Sequence, residues 1–331
     1  MIRTALLSKW HVHAQEYAEE AIHNEHIMLT HVWDEQKERG QAWAHELGLL
    51  FEEELDNIIR NPEIDAVIVA SPTSMHTEII TKAAKHGKHV FTEKVLAETV
   101  SDAAAILQGV EKNGVKLMVS LPRLTADYYL YTQQVVDQGL LGRITTIRCR
   151  VAHNGSVPTE QHPNGWLPQH FYDKELCGGG AFIDLGAHPI YLTNRLGGEV
   201  KAVTSRFIQT FNHEVDDNAV AIVEYQSGAL GILETGFVSS GSPFQLEVYG
   251  TEGTLMIEDG TIRLKSVKLD EGWHTPSEDE LPETAPSAMM QWVSEIKTGI
   301  KPDISYQDAY MLTLINDAAR RSNEEGRRIE I

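Results

Sequence analysis

Three side chains in this 331-residue chain, Lys94, Asp184 and His188, are of the types that acid–base work at a carbon-bound hydroxyl requires. Taking hydride from such a carbon requires the hydroxyl to lose its proton to an acceptor that titrates near working pH. Imidazole does so without special tuning. Asp184 and His188 stand four residues apart, so a helix predicted over residues 181–196 puts them on one face. One of the pair can then touch the hydroxyl while the other orients it or the imidazole. Lys94 follows a strand-like run, and an ammonium at a strand's carboxyl end can stabilise a developing alkoxide. Taken singly, each residue also has an ordinary use: a surface cation, a helix-start carboxylate, a core or exposed-helix histidine.

The elements that must position these groups follow from apolar periodicity. Strand-like runs at 4–7, 27–33, 66–70, 89–91 and 116–119 alternate with helical patterns at 13–23, 36–47, 74–86 and 100–112. Such alternation predicts an α/β fold with a parallel, doubly wound sheet. After Pro122 the pattern changes to a helix over 126–138, a run at 143–151, and an irregular stretch rich in His, Pro, Asn and Gly up to Gly180. Strand-like runs broken by glycine turns then fill 200–268 and predict a large open sheet, antiparallel or mixed. An acidic, proline-containing loop at 270–285 and two helices, 287–298 and 305–324, close the chain. The expected domains are 1–121 and 122–331. An open sheet of this size calls for a cover, and a homo-oligomer face is the commonest one.

A helix start after the first strand is where a dinucleotide's pyrophosphate is expected, because unpaired amides and the helix dipole favour an anion there. The usual Gly-x-Gly-x-x-Gly is replaced by Ser8-Lys9-Trp10-His11-Val12-His13, which has no glycine. Ser8 and Lys9 can offer a hydroxyl and a cation, and the amides of residues 10–13 can still face the ligand. Asp34 ends the second strand-like run, where a carboxylate accepts from ribose hydroxyls and repels a 2′-phosphate. That favours NAD over NADP, although Asp34 also reads as a helix N-cap, and Lys37 and Arg39 keep NADP open. The polar turn of residues 70–76 brings Ser71, Thr73 and His76 to the sheet's carboxyl edge as cofactor contacts, or simply as a helix start.

The 28 basic against 48 acidic side chains give a formal charge of −20, a surface that repels nucleic acid and anionic lipid. A neutral small molecule fits this balance better. Cys149 and Cys177 are too few for a disulfide framework and read as reduced thiols. The short apolar run at the start meets Trp10, His11 and His13 without a small-residue cleavage site, so no signal peptide is expected. No run approaches a membrane span, and a cytoplasmic setting is the expectation. The stretch 153–172 holds His153, His162 and His170, but spacings of nine and eight residues match no metal motif and no metal is assigned. His153, Trp166 and His170 are instead expected to hydrogen-bond or stack on a substrate ring.

Two blocks carry a family resemblance. Residues 65–76 followed by 84–97 contain Glu93-Lys94-Val95, and a second block runs Gly178-Gly179-Gly180-Ala181-Phe182-Ile183-Asp184-Leu185-Gly186-Ala187-His188-Pro189. With the C-terminal residues 319–329, the chain resembles the glucose-fructose oxidoreductase / inositol dehydrogenase (Gfo/Idh/MocA) family throughout, with Val95 where the family has proline. The resemblance implies a Rossmann domain, then an α+β domain whose open sheet mediates dimers or tetramers, with nicotinamide between them. It also implies Lys94 as the catalytic lysine and Asp184 with His188 as the substrate-domain pair. Ser8, Trp10, His11, Asp34, Ser71, Thr73, His76, Glu93 and Lys94 are the expected cofactor-binding residues. The implied activity is NAD-dependent oxidation or reduction of a sugar, polyol or glycoside. Two alternatives stay open: redox-neutral glycoside cleavage through a transient keto-sugar, and a non-catalytic sugar or NAD sensor.

Overall fold

A computed structural model describes residues 1–211, 213–269 and 271–331. Asp270, where the acidic loop is read to begin, lies outside the described residues. The first part of the chain forms β1 (Ile2–Leu7), α1 (Ala14–His23), β2 (Ile27–Trp33), α2 (Lys37–Leu47), β3 (Leu50–Phe51), α3 (Leu55–Arg60), β4 (Ala66–Val69), α4 (Thr73–Lys85), β5 (His89–Thr92), α5 (Val100–Asn113) and β6 (Leu117–Val119). The strands make one parallel sheet in the order β3-β2-β1-β4-β5-β6. All four residues of β4 are buried, as expected of a strand covered by helices on both faces. Strand order reverses beside β1, so the carboxyl ends of β1 and β4 border the crevice where ligands of doubly wound sheets bind.

The chain continues as α6 (Asp127–Asp137), β7 (Ile144–Ala152), α7 (Lys174–Cys177), α8 (Ala181–Asp184), α9 (Ala187–Gly197), β8 (Val200–Ile208), β9 (Asn218–Tyr225), β10 (Leu230–Gly236), β11 (Gln245–Gly250), β12 (Gly253–Glu258), β13 (Thr261–Ser266), α10 (Ala288–Thr298), α11 (Tyr306–Glu325) and β14 (Ile329–Glu330). The second sheet has the order β13-β12-β11-β7-β10-β9-β8-β14 and is antiparallel apart from the β7–β10 pair. Along β9 the buried residues Ala219, Ala221, Val223 and Tyr225 alternate with outward Val220 and Ile222, the period of a half-covered strand. Helix α9 lies against β7 and β10.

The molecule falls into two compact units, Met1–Leu121 with Pro286–Thr313, and Pro122–Ala285 with Leu314–Ile331. The sequence draws a single boundary after residue 121, whereas the chain re-enters the first unit at Pro286. The physical reason is the apolar face of α10: Met289, Trp292 and Val293 are buried, and the Trp292 ring lies 5.8 Å from that of Phe91 on β5. The Trp292 Nε1–H donates to the Lys116 carbonyl at 3.4 Å.

One expected element needs correction. The helix read over 181–196 is two, α8 and α9, interrupted at Leu185-Gly186. The Gly186 amide reaches back to the Ala181 carbonyl at 2.9 Å, and a Cβ at 186 would stand 2.3 Å from the Phe182 oxygen. Only glycine permits that approach. Asp184 therefore closes one helix and His188 lies in the first turn of the next, so an uninterrupted i, i+4 face does not join them.

Candidate active site

In the first unit, β1 delivers the chain into a turn knit by side chains. Ser8 takes a left-handed conformation, φ 76°, and its Oγ accepts from the Trp10 amide at 3.0 Å. The Lys9 amide donates to Asp34 Oδ2 at 2.9 Å, the His11 amide to the Ala70 carbonyl at 3.0 Å, and the His13 amide to His11 Nδ1 at 3.2 Å. Of the amides of residues 10–13, expected to face an anion, those of Trp10, His11 and His13 are thus used inside the chain. A local hydroxyl and ring nitrogen, with the more distant Asp34 carboxylate and Ala70 carbonyl, take up amides that a glycine turn would leave open. The Lys9 ammonium is also committed, to Glu46 at 3.0 Å and over the Trp43 ring.

Glu93 leaves the end of β5 with 2% exposure and sits among cations and donors. The Tyr17 hydroxyl on α1 donates to Oε2, His13 Nδ1 lies 3.1 Å from that oxygen and His11 Nδ1 3.7 Å from it. Burial by itself would raise the Glu93 carboxyl, but His11, His13 and Lys94 outweigh it and hold the group well below the usual carboxylate range. For His13, burial would lower the imidazole, yet the hydrogen bond and charge of Glu93 prevail and raise it. Lys94 is 5% exposed, and its peptide bond to Val95 is cis.

Asp34 is buried directly after β2. Its oxygens accept from the Arg39 guanidinium at 2.7 to 3.1 Å and from the amides of Lys9 and Gln36. The bond to Gln36, which precedes α2, gives Asp34 part of the helix-start role as well. Arg39 also meets Glu35 at 2.5 Å, so its charge is answered by two carboxylates. Thr73 opens α4, and Ser71 is buried in the turn before it. His76 faces the carbonyls of Val95 at 2.9 Å and Ser71 at 3.2 Å, bracing the turn after β4 to the one after β5. Burial lowers its pKa against the help of those carbonyls, which favours a neutral ring donating at one nitrogen.

In the second unit, glycines do what side chains do in the first. Gly180 and Phe182 donate to the Asp216 carboxylate at 3.0 and 2.9 Å, and Ala181 donates to the Asp216 carbonyl at 2.8 Å. A Cβ at Gly180 would lie 1.9 Å from that carbonyl oxygen. This anchorage fixes α8, at whose end Asp184 stands. The charge of Asp184 acts on His153, whose pKa is lowered by burial and partly restored by Asp184. The His153 ring stacks on Phe237 at 5.1 Å, and Trp166, 45% exposed, lies 4.7 Å away with its Nε1–H on Asn154 at 3.1 Å. His170 lies on the turn 169–172 against Phe171.

His188, 9% exposed, places Nδ1 2.7 Å from the Tyr191 hydroxyl, which in turn accepts from the Arg123 amide. Burial pushes the Tyr191 phenol far up, so it keeps its proton. A hydroxyl both donates and accepts. With Nδ1–H donating to Tyr191, Nε2 offers a lone pair and takes a proton; with the phenol donating to Nδ1, Nε2–H gives one. The Arg123 guanidinium lies over the Phe244 ring and meets the Tyr128 hydroxyl at 3.4 Å.

The structure thus brings His11 to Glu93, and His153 to Trp166 and Asp184. Sequence reasoning gave no role to the side chains of His13, Tyr17, Tyr191, Phe237 or Asp216. Tyr17 follows His13 by four residues and Tyr191 follows His188 by three, spacings that place each near its partner. Glu93 is expected at the cofactor, but nothing local points to its partners on and before α1, or to Asp216; all lie tens of residues away in sequence from the groups they meet.

Comparison with known proteins agrees with this architecture. Residues 9–121 match the family described as "Oxidoreductase family, NAD-binding Rossmann fold", and residues 129–256 match the "GFO/IDH/MocA C-terminal domain". The NAD-dependent scyllo-inositol 2-dehydrogenase of Bacillus subtilis is 30% identical over 251 residues, covering 73% of this chain and 68% of its own length. The 2,7-anhydro-N-acetylneuraminate hydratase of Escherichia coli is 27% identical over 241 residues, covering 71% of this chain and 62% of its own. A levoglucosan dehydrogenase solved with NADH and levoglucosan superposes with a TM-score of 0.83 at 20% identity, covering 100% of this chain and 99% of that one.

Proposed function

The chain belongs to the GFO/IDH/MocA family of oxidoreductases, with NAD as its cofactor, and on that premise we propose that it moves a hydride between nicotinamide and a secondary hydroxyl or ketone of a sugar, polyol or glycoside. The observation that carries this reading is the His188–Tyr191 hydrogen bond, because it gives a nearly buried imidazole that can take or return the hydroxyl proton. Lys94 supplies the positive donor for the alkoxide that forms as the proton leaves. Asp184, whose charge already reaches His153, holds substrate hydroxyls and orients that ring. His153 and Trp166 offer flat faces for the C–H side of a sugar ring, and His170 remains assigned to substrate.

The first unit fits NAD by its donor set. Asp34 at the end of β2 is an acceptor for ribose hydroxyls, and Gly40 leaves it room, since a Cβ there would stand 2.6 Å from the Asp34 Cβ. Arg39, doubly compensated by Asp34 and Glu35, is a poor receptor for a 2′-phosphate, which supports NAD over NADP. NAD when bound supplies the hydride acceptor. Ser8, Trp10, His11, Ser71, Thr73, His76, Glu93 and Lys94 complete the set assigned to it, and His76 acts through the two turns it braces.

Outward apolar residues of the second sheet, Ile208, Val220, Ile222 and Leu230, support a homodimer or homotetramer through that face. Among the described residues no helix is long and apolar enough to cross a membrane. Cys149 and Cys177 are buried and form no disulfide with each other, which supports a reducing, cytoplasmic setting.

A second reading is favoured by the hydratase relative: NAD retained, the sugar oxidised transiently, and a glycosidic bond eliminated with no net change in nicotinamide. A screen of polyols, sugars and glycosides separates the two by following nicotinamide absorbance and product mass, with Lys94→Ala alongside. NADH in step with ketone, absent in the variant, is the expected result. Cleavage without NADH establishes the second reading, and binding without turnover on any substrate makes the protein a sensor.

A further inference from the structure

Two histidines two residues apart in a cofactor turn, converging on a buried carboxylate from another strand, are more than pyrophosphate binding calls for. Among the described residues, His11, His13 and Glu93 are the one group of His, Cys, Asp and Glu whose ligand atoms are close enough to hold a metal, all within 4.8 Å of one another. For metal–ligand bonds of about 2.0–2.1 Å in tetrahedral geometry, ligand atoms stand roughly 3.4 Å apart. The two distances to Glu93 Oε2, 3.1 Å from His13 Nδ1 and 3.7 Å from His11 Nδ1, bracket that edge.

The donor set selects the class of ion. Two imidazoles with one carboxylate suit zinc and its neighbours, whereas magnesium and calcium prefer oxygen ligands throughout. Glu93 and His11 are almost fully buried, and the Tyr17 hydroxyl orients the carboxylate as an outer-shell donor does. His13, 32% exposed, leaves an approach for the ion and for water. Ligation at His11 Nδ1 displaces the bond it accepts from the His13 amide at 3.2 Å.

We propose that His11, His13 and Glu93 form a three-ligand site for a divalent transition-metal ion of the zinc class, with its fourth position left to water. The ion stands at the start of α1, where the amides of Trp10, His11 and His13 are already used, and returns positive charge to that place.

The test is titration of untagged, chelator-stripped full-length protein with Co²⁺, followed by displacement with Zn²⁺. Expected are one Co²⁺ per chain, the visible absorption of a four-coordinate ion, and loss of that absorption as Zn²⁺ is added. His13→Ala and Glu93→Gln weaken binding on the order of 100-fold or more, and Tyr17→Phe about 10-fold. Should Glu93→Gln fail to fold, the half-exposed His13 still decides the matter. No stoichiometric Co²⁺, or unchanged Co²⁺ binding by folded His13→Ala, overturns the site; the latter places the ion elsewhere, as at the His153–His170 stretch.

Discussion

Two turns at the starts of helices, one in each unit, solve the same problem with opposite chemistry. The Ser8–His13 turn has no glycine, and its Lys9, Trp10, His11 and His13 amides go to a carboxylate, a hydroxyl, a carbonyl and a ring nitrogen. The Gly178–Gly186 turn has four glycines and satisfies its amides by pressing the backbone onto Asp216. The first turn is set by what its side chains donate and accept, and it keeps charged groups beside Glu93. The second is set by the absence of side chains, and it holds Asp184 and His188 on two short, separately anchored helices.

The second turn breaks under the smallest addition. Gly180→Ala puts a Cβ 1.9 Å from the Asp216 oxygen, backbone against backbone, and is expected to cost about 4 kcal/mol or more in a denaturant melt. Asp34→Ala in the first unit comes next, at about 3 kcal/mol, since it leaves Arg39 beside a lost partner and two amides without an acceptor. The same variant releases Arg39 and should shift cofactor preference toward NADP in paired affinity measurements; unchanged preference would remove Asp34 from the ribose site. Ser8→Gly should change stability by no more than about 1 kcal/mol, because relief of the left-handed serine offsets the lost acceptor for Trp10. A large loss there would mean that the side-chain knit matters more than the backbone conformation.

The smallest effect is a titration. His153 has a folded pKa below its unfolded value, so the folded state resists protonation and stability is lost as pH falls through the unfolded value near 6.5. Asp184→Asn removes the charge that partly restores the imidazole. The His153 pKa, followed by NMR, should therefore fall further and the acid-side loss deepen; a rise would show that Asp184 does not act on His153.

The long elements of both units could be read from the sequence because period two and period 3.6 are local properties. The short ones could not: β3, α3 and β14 span two, six and two residues, too few for a period to show. Lys94, Asp184 and His188 were legible as types within compact motifs. The break between α8 and α9 was not, because Gly186 has ordinary helical angles, φ −65° and ψ −15°, and only the Phe182 oxygen reveals why it must be glycine. The histidine cluster stayed hidden for a related reason. His11 and His13 are adjacent in sequence to the expected cofactor turn, but Glu93 joins them from 80 residues beyond His13 through the pairing of β1, β4 and β5.

Hydride transfer from a substrate carbinol carbon is tested most directly by isotope transfer. A sugar or polyol substrate carrying deuterium at that carbon is incubated with NAD and the purified chain, and the nicotinamide is recovered for mass analysis. Deuterium in the NADH, formed by the native protein and lost on the order of 1,000-fold in rate with Lys94→Ala, is the predicted result. Substrate turned over with no deuterium reaching nicotinamide in a single turnover would contradict the account.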